Sequence, residues 1–191
     1  MNWLVLSAIP PLLFSLSNFI DEYLVKHHFT NQPILFLMIA CTLEIIPAIG
    51  FVSFYDSALD VEWISRLKLM FLSVLATLSI APYLMALQRD GAGIVVPFFQ
   101  LIPVFVFILG WLFLGEIISG QKILGGVLIV AAAFVMSWDF QTRKVPLLSA
   151  FYMVISSLGI AIFVVGIRDE MESMSWLAAT TWVWMGKGHN S

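Results

Sequence analysis

The feature that most constrains the fold is the stretch from Arg89 to Phe140, in which a short polar link joins two apolar runs. The runs are Ala92–Leu114 and Ile123–Trp138, and the link between them contains the letters GEIISGQK. A helix that crosses the hydrocarbon layer of a bilayer needs about 20 residues. A soluble domain has no room to bury two such runs side by side in so few residues, so the stretch predicts two membrane helices.

The composition of the whole chain supports the same class. Hydrophobic residues make up 61% of the sequence and charged residues 11%, whereas soluble domains carry about 25% charged residues to keep their surface wet. The net charge of −3 comes without any basic run, so the sequence gives no indication of a nucleic-acid partner. Cys41 is the only cysteine, which excludes an intramolecular disulfide.

Six stretches are long and apolar enough to cross a bilayer, and a seventh, beginning near Ser175, is too short to do so. The short links between them force neighbouring helices to be antiparallel, and we expect the first stretch to remain in the protein because no signal-peptide pattern precedes it. The sequence therefore predicts an all-α, polytopic membrane protein with six transmembrane helices and part of a seventh. The predicted spans are 3–24, 33–54, 68–88, 92–114, 120–138 and 147–167.

Glu44 lies near the middle of the second predicted span, far from either interface. A charged carboxylate at that depth costs at least ~2.5–3.5 kcal/mol, and intramembrane carboxylates generally face cavities. Such a group can exchange protons or pair with a cationic substrate, so Glu44 is a candidate coupling residue. The alternative is a protonated side chain that only forms a hydrogen bond between helices.

A polar stripe runs along the first predicted span. Ser15, Asn18 and Glu22 belong to it, and their steps of three and four residues put them on one helix face. We expect this face to look inward, with Glu22 pairing with Lys26 one turn later. The stripe either lines a solute path or joins helices through side-chain hydrogen bonds. Asp21 points about 100° away from it and is predicted to be an interfacial charge.

Other polar and conformationally special residues interrupt the apolar spans. Tyr83, Gln100 and Tyr152 are candidates for the lining of a solute cavity, although packing explains each of them as well. Prolines within a helix free a backbone carbonyl and kink the helix. Kinks are therefore predicted at Pro47, Pro82, Pro97 and Pro103.

The fifth predicted span carries five small residues, and we expect them to form a packing face with another helix. They are Gly125, Gly126, Ala131, Ala132 and Ala133. Enzyme signatures are missing from the sequence: it contains neither HExxH nor GxSxG. The three histidines are in predicted links or near the C-terminal end. We therefore predict no enzymatic activity, no cofactor and no metal site.

Residues 86–137, ALQRDGAGIVVPFFQLIPVFVFILGWLFLGEIISGQKILGGVLIVAAAFVMS, resemble the EamA-like proteins of the drug/metabolite transporter superfamily. The resemblance rests on Pro103, the Leu114–Glu116 link and the glycines of the fifth span, and SLSNFIDEYLV (15–25) is similar to the end of that family's first helix. It implies two inverted five-helix repeats with a solute site between them near mid-membrane.

On this basis residues 1–138 are predicted to form a first five-helix repeat and residues 147–191 an incomplete second one. The implied function is secondary transport of a metabolite, amino acid or drug by alternating access, with proton coupling as an option. The implied location is the cytoplasmic (plasma) membrane with the N-terminus in the cytoplasm; the charges of the links show no positive-inside bias. The alternative is a truncated or non-transporting membrane subunit. Expected partners are the lipid bilayer and either a second copy of the chain or a complementary half-transporter.

Overall fold

The chain is built from helices, since a helix satisfies its backbone hydrogen bonds internally and apolar runs of this length offer few other partners. The computed structural model describes residues 3–30, 32–54, 62–117, 119–137, 146–173, 179–180 and 182–183. Within these ranges the chain is helical and has no strand. Its elements are α1 (Trp3–His27), α2 (Pro33–Phe54), α3 (Trp63–Asp90), α4 (Ala92–Val95), a 3₁₀ turn (Val96–Gln100), α5 (Leu101–Leu114), α6 (Gly120–Met136) and α7 (Leu147–Ser173).

Three helical segments of the described chain are long and apolar enough to cross a membrane: Trp63–Asp90, Ala92–Leu114 and Leu147–Arg168. Pro33–Leu43, the first part of α2, in which every side chain is described, and Gly120–Met136 are shorter apolar segments. The predicted all-α, membrane-type architecture is confirmed. The count of six spans and part of a seventh stays a prediction, and most of the seventh stretch is outside the described residues.

The fourth predicted span is not one regular helix, because it changes to 3₁₀ geometry at Val96–Gln100. Pro97 lies in this turn, where its missing N–H and its ring disfavour a continuous α-helix. Pro103 is the third residue of α5, and an N–H in the first turn of a helix has no intrahelical partner to lose. Pro82 lies inside the uninterrupted α3. Pro47 lies in α2, and its side chain is not among those described.

Helix α3 makes its most extensive contact with α7, and two glycines of α7 permit the close approach. A Cβ added to Gly159 would lie 2.8 Å from the Cβ of Ser79, and one added to Gly166 would lie 2.7 Å from Cδ2 of Leu72. Neither position has room for a larger side chain. These glycines therefore set the distance between α3 and α7.

The predicted packing face of α6 is buried at Ala133, but its glycine pair makes no close helix contact. A Cβ added to Gly125 or Gly126 meets no atom within 4 Å, and a groove of about 670 Å³ between α5 and α6 lies beside Gly126. Small residues permit a close helix contact but do not enforce one. The glycines of α6 consequently leave open space, whereas those of α7 are in contact.

A buried apolar cluster joins α1, α2, α3, α4 and α7 near the turn between α3 and α4. Val25, Leu84, Leu87, Val95 and Met153 are almost completely buried in it. Many large apolar side chains on the outer faces of the helices are exposed, as a bilayer solvent allows. The buried cluster positions the polar side chains that α1 and α3 present to each other.

Candidate functional site

A buried polar pair connects α1 to α3. The hydroxyl of Tyr83 donates a hydrogen bond of 2.8 Å to Oδ1 of Asn18, and the side chains are 5% and 4% exposed, respectively. Nδ2 of Asn18 donates to the carbonyl oxygen of Phe14 at 2.6 Å, which fixes the orientation of the amide. Polar groups buried this deeply need such partners, because each unsatisfied one costs about 1–3 kcal/mol. The structure thus brings two of the predicted site residues together.

Asp21 is the third member of this cluster, although its spacing places it off the polar stripe of α1; its position at the membrane interface stays a prediction. Its carboxylate is half-buried, and Oδ2 lies 3.4 Å from the Tyr83 hydroxyl. A hydroxyl has one proton, and the shorter contact to Asn18 takes it. The direction of α1 relative to α3 brings Asp21 inward, and this direction is not encoded in the spacing of α1 alone.

Aromatic rings form one wall of the cluster. The ring centroids of Tyr83 and Phe99 are 4.9 Å apart, and those of Phe14 and Phe99 are 6.0 Å apart. Separations of 4.5–7 Å with tilted planes are favourable for aromatic pairs. Phe99 belongs to the 3₁₀ turn, so the irregular geometry around Pro97 places the ring against Tyr83.

Glu22 fastens the turn between α3 and α4 to α1. Nζ of Lys26 donates to Oε1 of Glu22 at 2.7 Å, which is the predicted i,i+4 ion pair. The backbone N–H of Ala92 donates to Oε2 at 2.9 Å. Gly91, the residue that links α3 to α4, has φ +81°, a conformation that glycine adopts without strain. Both oxygens of Glu22 therefore have partners within the protein, and the carboxylate caps the start of α4.

The other predicted site residues are not gathered at this cluster. Ser15 is exposed, contrary to its expected inward position, because α1 contacts the bundle through a narrow face. Gln100 is exposed at the end of the 3₁₀ turn. Tyr152 of α7 is half-buried and packs against the same apolar cluster as Tyr83. Glu44 lies in α2, but its side chain is outside the described residues.

A cavity of about 290 Å³ lies beside the polar cluster, between α1, α2 and α3. Its polar lining includes Ser17, Asp21 and Thr77. The hydroxyl of Thr77 is buried and has no hydrogen-bond partner. Ser17 and Asp21 are four residues apart and so share a helix face. This spacing was a signal in the sequence, but the longer stripe through Asn18 and Glu22 obscured it.

The described residues contain no group of three or more His, Cys, Asp or Glu side chains able to hold a metal ion. The chemistry that the described site offers is hydrogen bonding and charge recognition within an apolar bundle.

The sequence model of the EamA-like transporter family matches residues 1–138. The chain belongs to the EamA-like transporter family. It is therefore a multi-pass membrane protein of the transporter type, and the expected family membership is confirmed. No curated protein and no solved structure matches the chain significantly.

In this EamA-like protein the family match covers α1 to α6. It includes the Asn18–Tyr83 pair, Asp21 and the cavity beside them. Helix α7 follows the match, and it packs against α3 on the side where Gly159 and Gly166 lie. Members of the family are transporters and not enzymes, which agrees with the predicted function class.

Proposed function

We propose that this protein is a secondary transporter that moves a small solute across the cytoplasmic membrane by alternating access. The observation that carries the proposal is the Asn18–Tyr83 pair, a buried polar contact between two helices of an otherwise apolar bundle. Intramembrane polar residues commonly mark solute pathways. A metabolite, an amino acid or a drug is the expected kind of solute.

The polar pair suits a site that must be both empty and occupied during a transport cycle. Without solute, Asn18 and Tyr83 satisfy each other, so the empty site carries no unmatched donor at this point. A solute with a hydroxyl, amide or charged group replaces one partner by another. Glu44 is proposed as the proton-coupling group because of its depth in the second predicted span, and Tyr152, Gln100, Ser15 and Glu22 remain proposed contributors to the solute path.

The proposed topology has six transmembrane helices, part of a seventh and a cytoplasmic N-terminus. Residues 1–138 form one repeat in this proposal, and residues 147–191 belong to a second. A complete inverted-repeat pathway needs two five-helix units. A second copy of the chain or a complementary half-transporter is therefore the proposed partner, and the lipid bilayer is the solvent for the outer faces.

The experiment is uptake by proteoliposomes under an imposed pH gradient, with a mixture of radiolabelled amino acids and small metabolites as the probe. We expect accumulation by the wild type and at least about tenfold less by Asn18→Leu, since removal of one partner leaves the other buried and unsatisfied. Thr42→Val is the matched control: Thr42 is exposed and donates only to the carbonyl of Met38 in its own helix. Glu44→Gln should retain exchange between solute pools but lose the response to the pH gradient.

Equal uptake by wild type and Asn18→Leu would contradict a role for the pair. Accumulation that is unchanged in Glu44→Gln would contradict the coupling role of Glu44. Absence of flux from correctly inserted wild-type protein, alone and as a dimer, would favour the alternative of a non-transporting subunit.

A further inference from the structure

The cavity between α1, α2 and α3 has a composition that differs from the other large hollows of the described chain. The hollow at Gly126 is lined almost wholly by apolar atoms, and the hollow at Leu109 is mostly apolar, with Lys68 and Glu170 as its charged lining residues. The cavity beside Asp21 is smaller, about 290 Å³, and a large share of its wall is polar. Small-molecule sites span about 300–1,000 Å³, so this volume suits a compact solute.

The polar part of the wall calls for a ligand that is both cationic and a hydrogen-bond donor. Asp21 contributes a carboxylate, and Ser17 contributes a hydroxyl one turn earlier on the same helix. Thr77 faces them from α3 with a buried hydroxyl that has no partner in the protein. A buried hydroxyl of this kind gains free energy when a ligand supplies the missing bond.

The charge of Asp21 has no cationic partner among the described ion pairs. Those pairs join Lys26 to Glu22, Lys68 to Glu170, Arg89 to Asp90 and Arg168 to Glu116. The Tyr83 hydroxyl is the polar neighbour of Asp21, and its proton is engaged by Asn18. A half-buried carboxylate in this position is therefore available to an incoming cation.

The rest of the wall is apolar and indicates what the cation is attached to. It is formed by Phe36, Leu37, Ala40, Cys41, Ile80 and Leu84. Apolar side chains offer no ligand atoms to a bare metal ion, and an anion would be repelled by Asp21. An ammonium group on a short alkyl or aryl chain matches both halves of the cavity, and Phe36 adds an aromatic face for a cation.

We propose that this cavity binds a small amphipathic primary amine, with its ammonium group between Asp21 and Thr77 and its apolar part against Ile80 and Leu84. The further claim that this amine is the transported solute rests on the proposed function. Binding itself is measured without transport, so the two proposals fail separately.

The first test is calorimetric titration of the full chain in lipid nanodiscs with n-butylammonium. Butan-1-ol and butyrate have the same chain without the positive charge, and empty nanodiscs measure partition into lipid. We expect butylammonium to bind at least about tenfold more tightly than butan-1-ol, because hydrogen bonds to charged groups are the stronger ones. Equal binding of the alcohol, or tighter binding of butyrate, would overturn the proposal on wild-type protein alone.

Three variants locate the binding. Asp21→Asn keeps the size of the side chain and should weaken the binding of butylammonium at least about tenfold. Thr77→Val replaces the hydroxyl by a methyl group and should weaken the binding about threefold to tenfold. Glu62→Gln is the matched control, since Glu62 is an exposed carboxylate at the start of α3 and should bind like the wild type. Wild-type affinity in folded Asp21→Asn would overturn the assignment of the carboxylate.

Cys41 provides a second measurement that does not depend on any cavity variant. It lines the cavity and is the only cysteine in the sequence. Butylammonium should slow its modification by a neutral methanethiosulfonate reagent at least about threefold at saturation, because an occupied site excludes the reagent. Unchanged modification at saturating butylammonium would mean that the amine binds elsewhere and would overturn the site. Amine binding without amine uptake would leave the site in place and refute only its role in transport.

Discussion

Two helix pairs of this protein use glycine in opposite ways. In the α3–α7 pair, Gly159 and Gly166 allow side chains of α3 to approach within van der Waals contact. In the α5–α6 pair, a Cβ added to Gly125 or Gly126 would meet no atom within 4 Å, and Gly126 lines a groove of about 670 Å³. A small residue therefore brings two helices close together only where a side chain of the neighbouring helix occupies the space that it leaves.

The largest expected effect comes from filling equivalent positions in the two pairs. Gly159→Leu should destabilise the protein by about 3 kcal/mol or more, because the added atoms overlap Ser79 in a packed contact. Gly126→Leu has the groove to occupy, and it should be neutral or stabilising by up to about 1 kcal/mol through helix propensity. Thermal unfolding of both variants in the same detergent measures the difference. Similar losses in both would contradict the distinction between the two pairs.

The links next to the two helix pairs each contain a glycine with positive φ. Gly91 has φ +81° and Gly115 has φ +66°. Alanine at Gly115 costs about 1–2 kcal/mol for the left-handed helical conformation. Gly91 has ψ 165° and so lies in a region that glycine alone adopts freely, where alanine costs about 1–3 kcal/mol. At Gly91 the new Cβ would also lie 2.6 Å from Oε1 of Glu22, whereas at Gly115 it meets nothing within 4 Å.

We therefore expect Gly91→Ala to lose about 1 kcal/mol more than Gly115→Ala in thermal unfolding, in line with the usual cost of crowding a packed site. The double variant Gly91→Ala/Glu22→Ala should cost less than the sum of its single variants, because the neighbour in the clash is gone. Strict additivity would show that the conformation of Gly91, and not its contact with Glu22, sets the loss.

Much of the fold was accessible from the sequence, because hydrophobic length alone predicts helices that cross a bilayer. The ion pair of Glu22 with Lys26 was also predictable, because side chains four residues apart are neighbours on the surface of a helix. The close approach of α7 to α3 could not be predicted from the sequence, because nothing in the local pattern distinguishes Gly159 from Gly125. The contrast between these glycines arises from the arrangement of separate helices.

The candidate site also contains some residues that the sequence predicts and others that only the tertiary contacts identify. Asn18 and Tyr83 were predicted from their polarity within apolar spans, and the structure places them in contact. Asp21 was assigned to the interface because one helix viewed alone has no fixed inward direction. Thr77 gave no signal, since a threonine in an apolar run satisfies itself in many helices. Tertiary contacts reveal both residues.

The smallest expected effect concerns the charged ends of the two pairs. Lys68 of α3 donates to Oε1 of Glu170 of α7 at 2.7 Å, beyond the apolar segment Leu147–Arg168. Hydrogen bonds from Lys68 and Ser65 hold the pKa of Glu170 below its ordinary value of 4.5. In the α5–α6 pair, Lys122 of α6 lies over the ring of Phe107, 5.8 Å from its centroid, and a ring does not titrate.

A carboxyl group whose pKa is lowered by folding contributes stability above its unfolded pKa and loses it as pH falls through the folded value. Glu170→Gln should therefore lower stability at pH 7, by less than about 1 kcal/mol because Lys68 is largely exposed. This difference from the wild type should shrink as the pH falls below 4.5. The difference made by Lys122→Gln should be the same at pH 7 and pH 4, since its described contact is with the Phe107 ring, which has no titratable group. Unfolding curves of the wild type and the two variants at pH 7 and pH 4 test this prediction. If the stability difference of Glu170→Gln is unchanged at pH 4, packing of the side chain, and not its charge, joins the ends of α3 and α7.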